Sequence, residues 1–181
     1  MTPAGIDTTR RIGLPARLGI TGDTHLGPRR AHLPERLVQG LATVDLIVHT
    51  GDVSSVAGWT LFEELGSVVG VLGNNDVEEL SRHLPARVTL VAGETTILVT
   101  HGHLERGPSA RAAVTRAWSG AADIVIFGHS HQPLREEVNG TTFLNPGSPT
   151  MKRRQTRFSY AILELDPNGG FEIEHVFFDE R

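Results

Sequence analysis

The chain has 181 residues, of which 39% are apolar and 21% charged, and it contains no cysteine. That length suits one domain, that balance excludes a disordered chain, and the missing thiols exclude disulfides, thiolate metal sites and thiol nucleophiles, leaving only N and O donors for any ion. A formal charge of −4 gives no general footprint for nucleic acid, and no apolar run approaches the roughly 18 residues of a membrane span. Residues 1–16 lack the apolar core of a signal peptide, so the expectation is a cytoplasmic protein that binds neither nucleic acid nor membrane.

Residues 1–16 read as a polar tail, followed by a single domain over residues 17–181. Short apolar runs then alternate with amphipathic stretches: a strand over 18–21, a helix over 33–41, a strand over 46–49, a helix over 59–65 and a strand over 68–72. This βαβαβ pattern predicts a mainly parallel sheet covered by helices. Strands follow over 87–91 and 95–100, then a helix over 109–118 and a strand over 124–127. From residue 134 hairpins replace helices. Strands over 134–138 and 141–144 flank Asn139-Gly140, which suits a type I′ turn. Strands over 158–165 and 171–178 flank a turn at 166–170 and are expected to complete a second, antiparallel sheet.

Nine histidines are many for this length, and their positions carry the chemistry. Five apolar runs end in a glycine step followed by metal-binding side chains. GITGDTH brings Asp23 and His25, LIVHTGD brings Asp52, VVGVLGNND brings Asn74, ILVTHGH brings His101 and His103, and IVIFGHSH brings His129 and His131. Carboxyl ends of strands in an open α/β sheet share one edge, where ligands bind, so groups distant in sequence are expected to converge there. Any one Gly-Asp or Gly-Asn step is ordinary turn chemistry; five in succession are not. Four His, two Asp and one Asn suit two divalent ions that share one carboxylate, and Asp52, alone at its strand end, is the natural bridge. Such a pair brings the pKa of a bridging water near neutrality and offsets charge on a phosphate.

The order D-x-H, G-D, G-N-x-D, T-H-G-H, G-H-x-H and N-P-G-S resembles the calcineurin-like metallophosphoesterases, most closely their small bacterial and archaeal phosphodiesterases, over about residues 18–165. The resemblance implies a four-layer α/β/β/α sandwich of two mixed sheets flanked by helices. It implies that Asp23, His25, Asp52 and His131 hold one ion and that Asp52, Asn74, His101 and His129 hold the other. Manganese is common in such enzymes, with iron, nickel, cobalt and zinc as alternatives. The implied reaction is hydrolysis of a small phosphate ester, most closely a phosphodiester, by in-line attack of a metal-bridging hydroxide. The competing reading is a binding scaffold, because a retromer subunit shares this fold and uses it for protein contacts.

One departure bears on mechanism. Many members of the larger superfamily carry a His after the metal-binding Asn, where this chain has Asn75. An amide can donate a hydrogen bond to a phosphoryl oxygen but cannot deliver a proton near neutral pH. Esters with good leaving groups are therefore expected to react best, unless His103 or a metal-bound water protonates the leaving oxygen; His103 reads equally as a plain loop histidine. Asp76 is expected to cap a helix with Glu79 closing the capping box, and His49 to be a hydrogen-bonded interior histidine. His32, His83 and His175 are expected on the surface. Asn145-Pro-Gly-Ser148 either helps close the site or is only a turn. Lys152-Arg153-Arg154 reads as solvated surface, while Arg29 and Arg30 are candidates for phosphate contact.

Overall fold

In the computed structural model, residues 8–27 and 32–179 are described. The chain order is β1 (Thr8–Ile12), β2 (Ala16–Thr21), α1 (Glu35–Leu41), β3 (Leu46–His49), α2 (Val56–Leu65), β4 (Val68–Gly70), a 3-10 turn (Glu78–Arg82), β5 (Arg87–Ala92) and β6 (Thr95–Thr100). It continues with α3 (Ala110–Trp118), β7 (Ile124–Phe127), β8 (Leu134–Val138), β9 (Thr141–Asn145), β10 (Phe158–Leu165) and β11 (Phe171–Phe178). Ser55 and Ser109 start α2 and α3, their hydroxyls accepting from Gly58 N and Ala112 N at 3.0 and 3.2 Å.

Two mixed sheets result, one ordered β1-β5-β6-β7-β9-β8 and the other β11-β10-β2-β3-β4. Alternation along the strands sets their faces. Leu18, Ile20, Leu46 and Val48 of one sheet meet Val88, Leu90, Val99 and Ile126 of the other in a buried core between the sheets. On the outer face of the five-stranded sheet, Ile47, Phe158, Tyr160 and Ile162 pack with Leu37, Leu41, Trp59 and Phe62 of α1 and α2. On the outer face of the six-stranded sheet, Leu98, Val125, Phe127 and Phe143 pack with Val114 of α3. The layers are therefore α/β/β/α, with a helix layer on each flank. Gly19 lets α1 approach closely, since a Cβ there would stand 2.4 Å from Leu41 Cδ2.

Two expectations need correcting. The tail is shorter than residues 1–16: Thr8–Ile12 pairs in parallel with β5, and Ala16 already belongs to β2. The tail's first seven residues, like Arg29 and Arg30, lie outside the described residues. The final hairpin does not build an antiparallel sheet of its own; β10 adds antiparallel to β2 and makes the β2-β3-β4 sheet mixed, while the β8-β9 hairpin joins β7 in the other sheet. Asn139 and Gly140 both take left-handed backbone (φ 53° and 76°), as a type I′ turn demands. Among the described residues no helix is long and apolar enough to cross a membrane.

Candidate metal centre

The five strand ends belong to both sheets: β2, β3 and β4 come from one, β6 and β7 from the other. The site is therefore built where the carboxyl edges of two stacked sheets meet. Asp23, His25, Asp52, His129 and His131 all have positive φ, between 45° and 67°. Each such non-glycine position costs on the order of 1 kcal/mol and persists only where the surroundings over-determine it. Here the loops after β2 and β3 lock together, with Asp23 N donating to Gly51 O (2.9 Å), His25 N to Asp52 O (2.9 Å) and Leu26 N to Val53 O (2.8 Å). Gly73 is required by close approach, because a Cβ would fall 2.1 Å from Asp52 Oδ1.

All seven predicted ligand positions come to this edge. Donor atoms of Asp23, His25 and His131 lie within 4.8 Å of one another, and so do those of Asp23, Asp52 and His101. His25 Nε2 and His131 Nε2 are 3.3 Å apart, with their rings stacked. Asp52 Oδ2 sits between the two halves, 3.7 Å from His25 Nε2 and 3.5 Å from His101 Nε2. Asn74 Oδ1 is 3.2 Å from His101 Nε2, and the His129 ring centre is 5.1 Å from that of His101. Backbone carbonyls fix two of the imidazoles: His131 Nδ1 is 2.6 Å from Met151 O, and His101 Nδ1 is 2.7 Å from Thr50 O. Each Nδ1 therefore carries the proton and each Nε2 turns a donor lone pair to the centre, the arrangement of metal-bound histidines.

A sequence model of the calcineurin-like phosphoesterase superfamily domain matches residues 17–168. The chain belongs to this superfamily. It is 34% identical over 165 residues to a probable metallophosphoesterase of Methanocaldococcus jannaschii, covering 90% of this chain and 82% of the relative. It is 28% identical over 155 residues to the phosphodiesterase YfcE of Escherichia coli, covering 82% and 72%. Among solved structures, wild-type Vps29 of Entamoeba histolytica complexed with zinc superposes with a TM-score of 0.67 at 25% identity, covering 90% of this chain and 99% of that one.

The electrostatics of this calcineurin-like site ask for a cation. Asp23 is fully buried; among the described residues neither carboxylate oxygen meets a partner at full hydrogen-bond geometry, with His131 Nε2 3.5 Å from Oδ1 and the backbone N–H of His129 exerting a weaker pull. Burial pushes its pKa up to about 7, although the charge of His101 pulls the other way. Burial also works to raise Asp52, but its hydrogen bond and charge contact with His101, together with two hydrogen bonds from Asn75, hold it below the usual carboxylate range. Burial draws His131 down to about 4, and it lowers His129 and His103, helped in both by the charge of His101. Burial acts against a charge on His101 too, yet Asp52 and Asp23 hold its pKa above the ordinary value. A proton on His101 Nε2 and a divalent ion thus compete for one lone pair.

Asn75 does not offer its amide outward: its backbone N donates to Asp52 Oδ1 (2.8 Å) and its Nδ2 to Asp52 Oδ2 (2.6 Å), so it orients that carboxylate. His103 lies half-buried, its ring centre 5.2 Å from that of His101, with Nδ1 buried and without a hydrogen-bond partner among the described residues. Asp76 caps no helix, and the 3-10 turn after it has no side-chain cap. Its carboxylate instead accepts from Ser54 N (2.6 Å), Gly73 N (2.7 Å) and Asp52 N (3.1 Å), tying the loops after β3 and β4 together. His49 is interior as expected, its ring bonded to Thr24 Oγ1 (3.0 Å) and accepting from Gly51 N (3.2 Å). The Asn145–Ser148 segment is part of the frame: Ser148 Oγ donates to Asp23 O (2.8 Å) and Asn145 Nδ2 to Gly128 O (2.8 Å). His175 is half-buried in β11, not on the surface, with Nε2 2.8 Å from Asn145 O.

Proposed function

We propose that this chain is a metal-dependent phosphodiesterase whose two divalent ions are held by Asp23, His25, Asp52 and His131 on one side and by Asp52, Asn74, His101 and His129 on the other. The observation that carries the reading is the fully buried Asp23 carboxylate, neither oxygen of which meets a partner at full hydrogen-bond geometry among the described residues, and which groups with the ring nitrogens of His25, His131 and His101. Leaving such a group unpaired costs several kcal/mol, which a bound cation offsets. When bound, the ions supply positive charge that lowers the pKa of water and neutralises charge gathering on phosphoryl oxygens.

The chain's own residues do the rest. Asn75 fixes both oxygens of Asp52, so the shared carboxylate keeps one orientation. Met151 O and Thr50 O hold His131 and His101 in the tautomer that binds metal. His103, half-buried with its ring centre 5.2 Å from that of His101, is our candidate for proton transfer at the leaving oxygen; burial lowers its pKa and so favours the neutral ring that takes up a proton. Displacement at phosphorus is in-line, with no covalent link to the chain, and the substrate is a small phosphate ester. The name of the Escherichia coli relative supports a diester as substrate.

The fold shared with Vps29 supports a second reading, a binding scaffold with little catalysis. Stripping the protein with a chelator, adding back manganese, iron, nickel, cobalt or zinc singly, and assaying bis(p-nitrophenyl) phosphate separates the two. Turnover that returns only with metal, manganese being the first choice, supports the enzyme. Full metal loading without turnover on any diester would turn the choice to the scaffold.

A further inference from the structure

After the last predicted ligand the chain passes through a loop fastened to the metal centre. Ser148 Oγ donates to Asp23 O, Thr150 Oγ1 to Thr24 O (2.7 Å), and Met151 O holds His131 Nδ1. Two residues further on, Arg153 takes left-handed backbone (φ 51°) in a turn closed by Gln155 N donating to Lys152 O at 2.8 Å. A non-glycine residue in that region is held there by its surroundings. Of the neighbouring cations, Lys152 and Arg157 are engaged elsewhere, while Arg154 is exposed. Lys152 Nζ donates to Thr156 O (2.9 Å) and lies 5.1 Å from the Phe158 ring centre, and Arg157 pairs with Asp179 and donates to Phe177 O.

Arg153 is exposed and makes no hydrogen bond or ion pair among the described residues, and it stands two residues beyond Met151, whose carbonyl is 2.6 Å from His131 Nδ1 at the centre; its charge also works to lower the pKa of Asp23, His129 and His131. A guanidinium carries five donors in a planar fork that matches two phosphoryl oxygens. Beside a centre loaded with divalent ions it is repelled, unless an anion lies between. Arg153 and Arg154 are exposed, as the reading of this basic run as solvated surface expects; Arg153 is the one whose backbone is held in the left-handed region beside the loop that fixes His131.

We propose that Arg153 is a substrate-binding residue whose guanidinium takes two oxygens of the phosphate group held at the metal centre. This rests on the phosphodiesterase reading for the nature of the substrate. The test uses the metal-loaded protein in two measurements: calorimetric titration with inorganic phosphate, and KM and kcat on bis(p-nitrophenyl) phosphate, each with metal content determined alongside. Charge-assisted hydrogen bonds are worth about 1.5–3 kcal/mol, so at an exposed site Arg153→Ala is expected to weaken phosphate binding about tenfold, the low end of that range. KM should rise by a similar factor at unchanged metal stoichiometry. Arg153→Lys should restore part of the affinity, as a point charge without the fork, and Arg154→Ala should match wild type. Equal phosphate affinity in wild type and Arg153→Ala overturns the proposal, as does an equal loss in Arg154→Ala or a loss of metal in Arg153→Ala. A wild type that turns over no diester but binds phosphate through Arg153 would sink the enzyme reading and leave this one standing.

Discussion

Asp76 offers the sharpest test of how the site is held, because its part-buried carboxylate accepts from three backbone N–H groups on two loops, those of Asp52, Ser54 and Gly73. Replacing it with Ala leaves all three donors without this partner. At about 1 kcal/mol net for each lost bond, the loss is roughly 3 kcal/mol. For a domain of this size that corresponds to a Tm lower by about 6–12 °C. The loops it ties carry Asp52 and lead to Asn74, and removing such supporting partners costs about 10–100-fold in metal affinity. Urea unfolding of the chelated protein reads the first effect, and calorimetric titration with manganese or zinc reads the second. Unchanged stability and unchanged metal affinity in Asp76→Ala would refute the reasoning. A stability loss with full metal affinity would show that the loops keep their shape without the carboxylate.

The pKa of Asp23 predicts a pH dependence for the chelated protein. Its folded pKa, about 7, lies above the ordinary 3.8, so its contribution is fully present below pH 4 and is lost as pH rises through 7. Three units correspond to roughly 4 kcal/mol at most. The stability of Asp23→Asn relative to wild type, measured in urea at pH 4.5 and 7.5, should therefore rise with pH; a difference that stays constant contradicts the buried, unpaired carboxylate. Asn75→Ala should weaken metal binding several-fold by loosening Asp52, while rates on good and poor leaving groups fall together. A selective loss on poor leaving groups would instead place the amide on the substrate. Gly73→Ala should lower metal affinity sharply with a folding cost of about 1–3 kcal/mol, since the new Cβ overlaps Asp52 Oδ1; wild-type binding would show that the carboxylate is not fixed there.

Buried apolar runs bounded by turn residues were legible in the sequence. Strands over 46–49 and 124–127 have the bounds expected because their burial leaves a nearly unbroken hydrophobic signal, and those over 158–165 and 171–178 because the turn at 166–170 separates them. The strand of residues 8–12 gave none: Thr8 to Arg11 are exposed at a sheet edge, so no alternation marks them. The helix expected from residue 59 starts at Val56, its cap Ser55 being masked by Gly58 in the first turn. Which sheet a hairpin joins depends on contacts between distant segments, and local pattern does not carry that. The ligand types were readable because metal chemistry restricts them to a few side chains placed after strands. Their supports were not. Thr50 and Met151 act through backbone carbonyls that any residue possesses, and the D-x-x-E pattern of Asp76 and Glu79 is identical whether the carboxylate caps its own helix or reaches back to Ser54 and Gly73.

The most direct measurement is anomalous scattering from crystals grown with manganese or zinc. The account predicts two peaks per chain, one ligated by Asp23, His25 and His131, the other by Asn74, His101 and His129, with Asp52 bonded to both. A single peak, or two peaks with Asp52 bonded to only one, would contradict the shared-carboxylate centre.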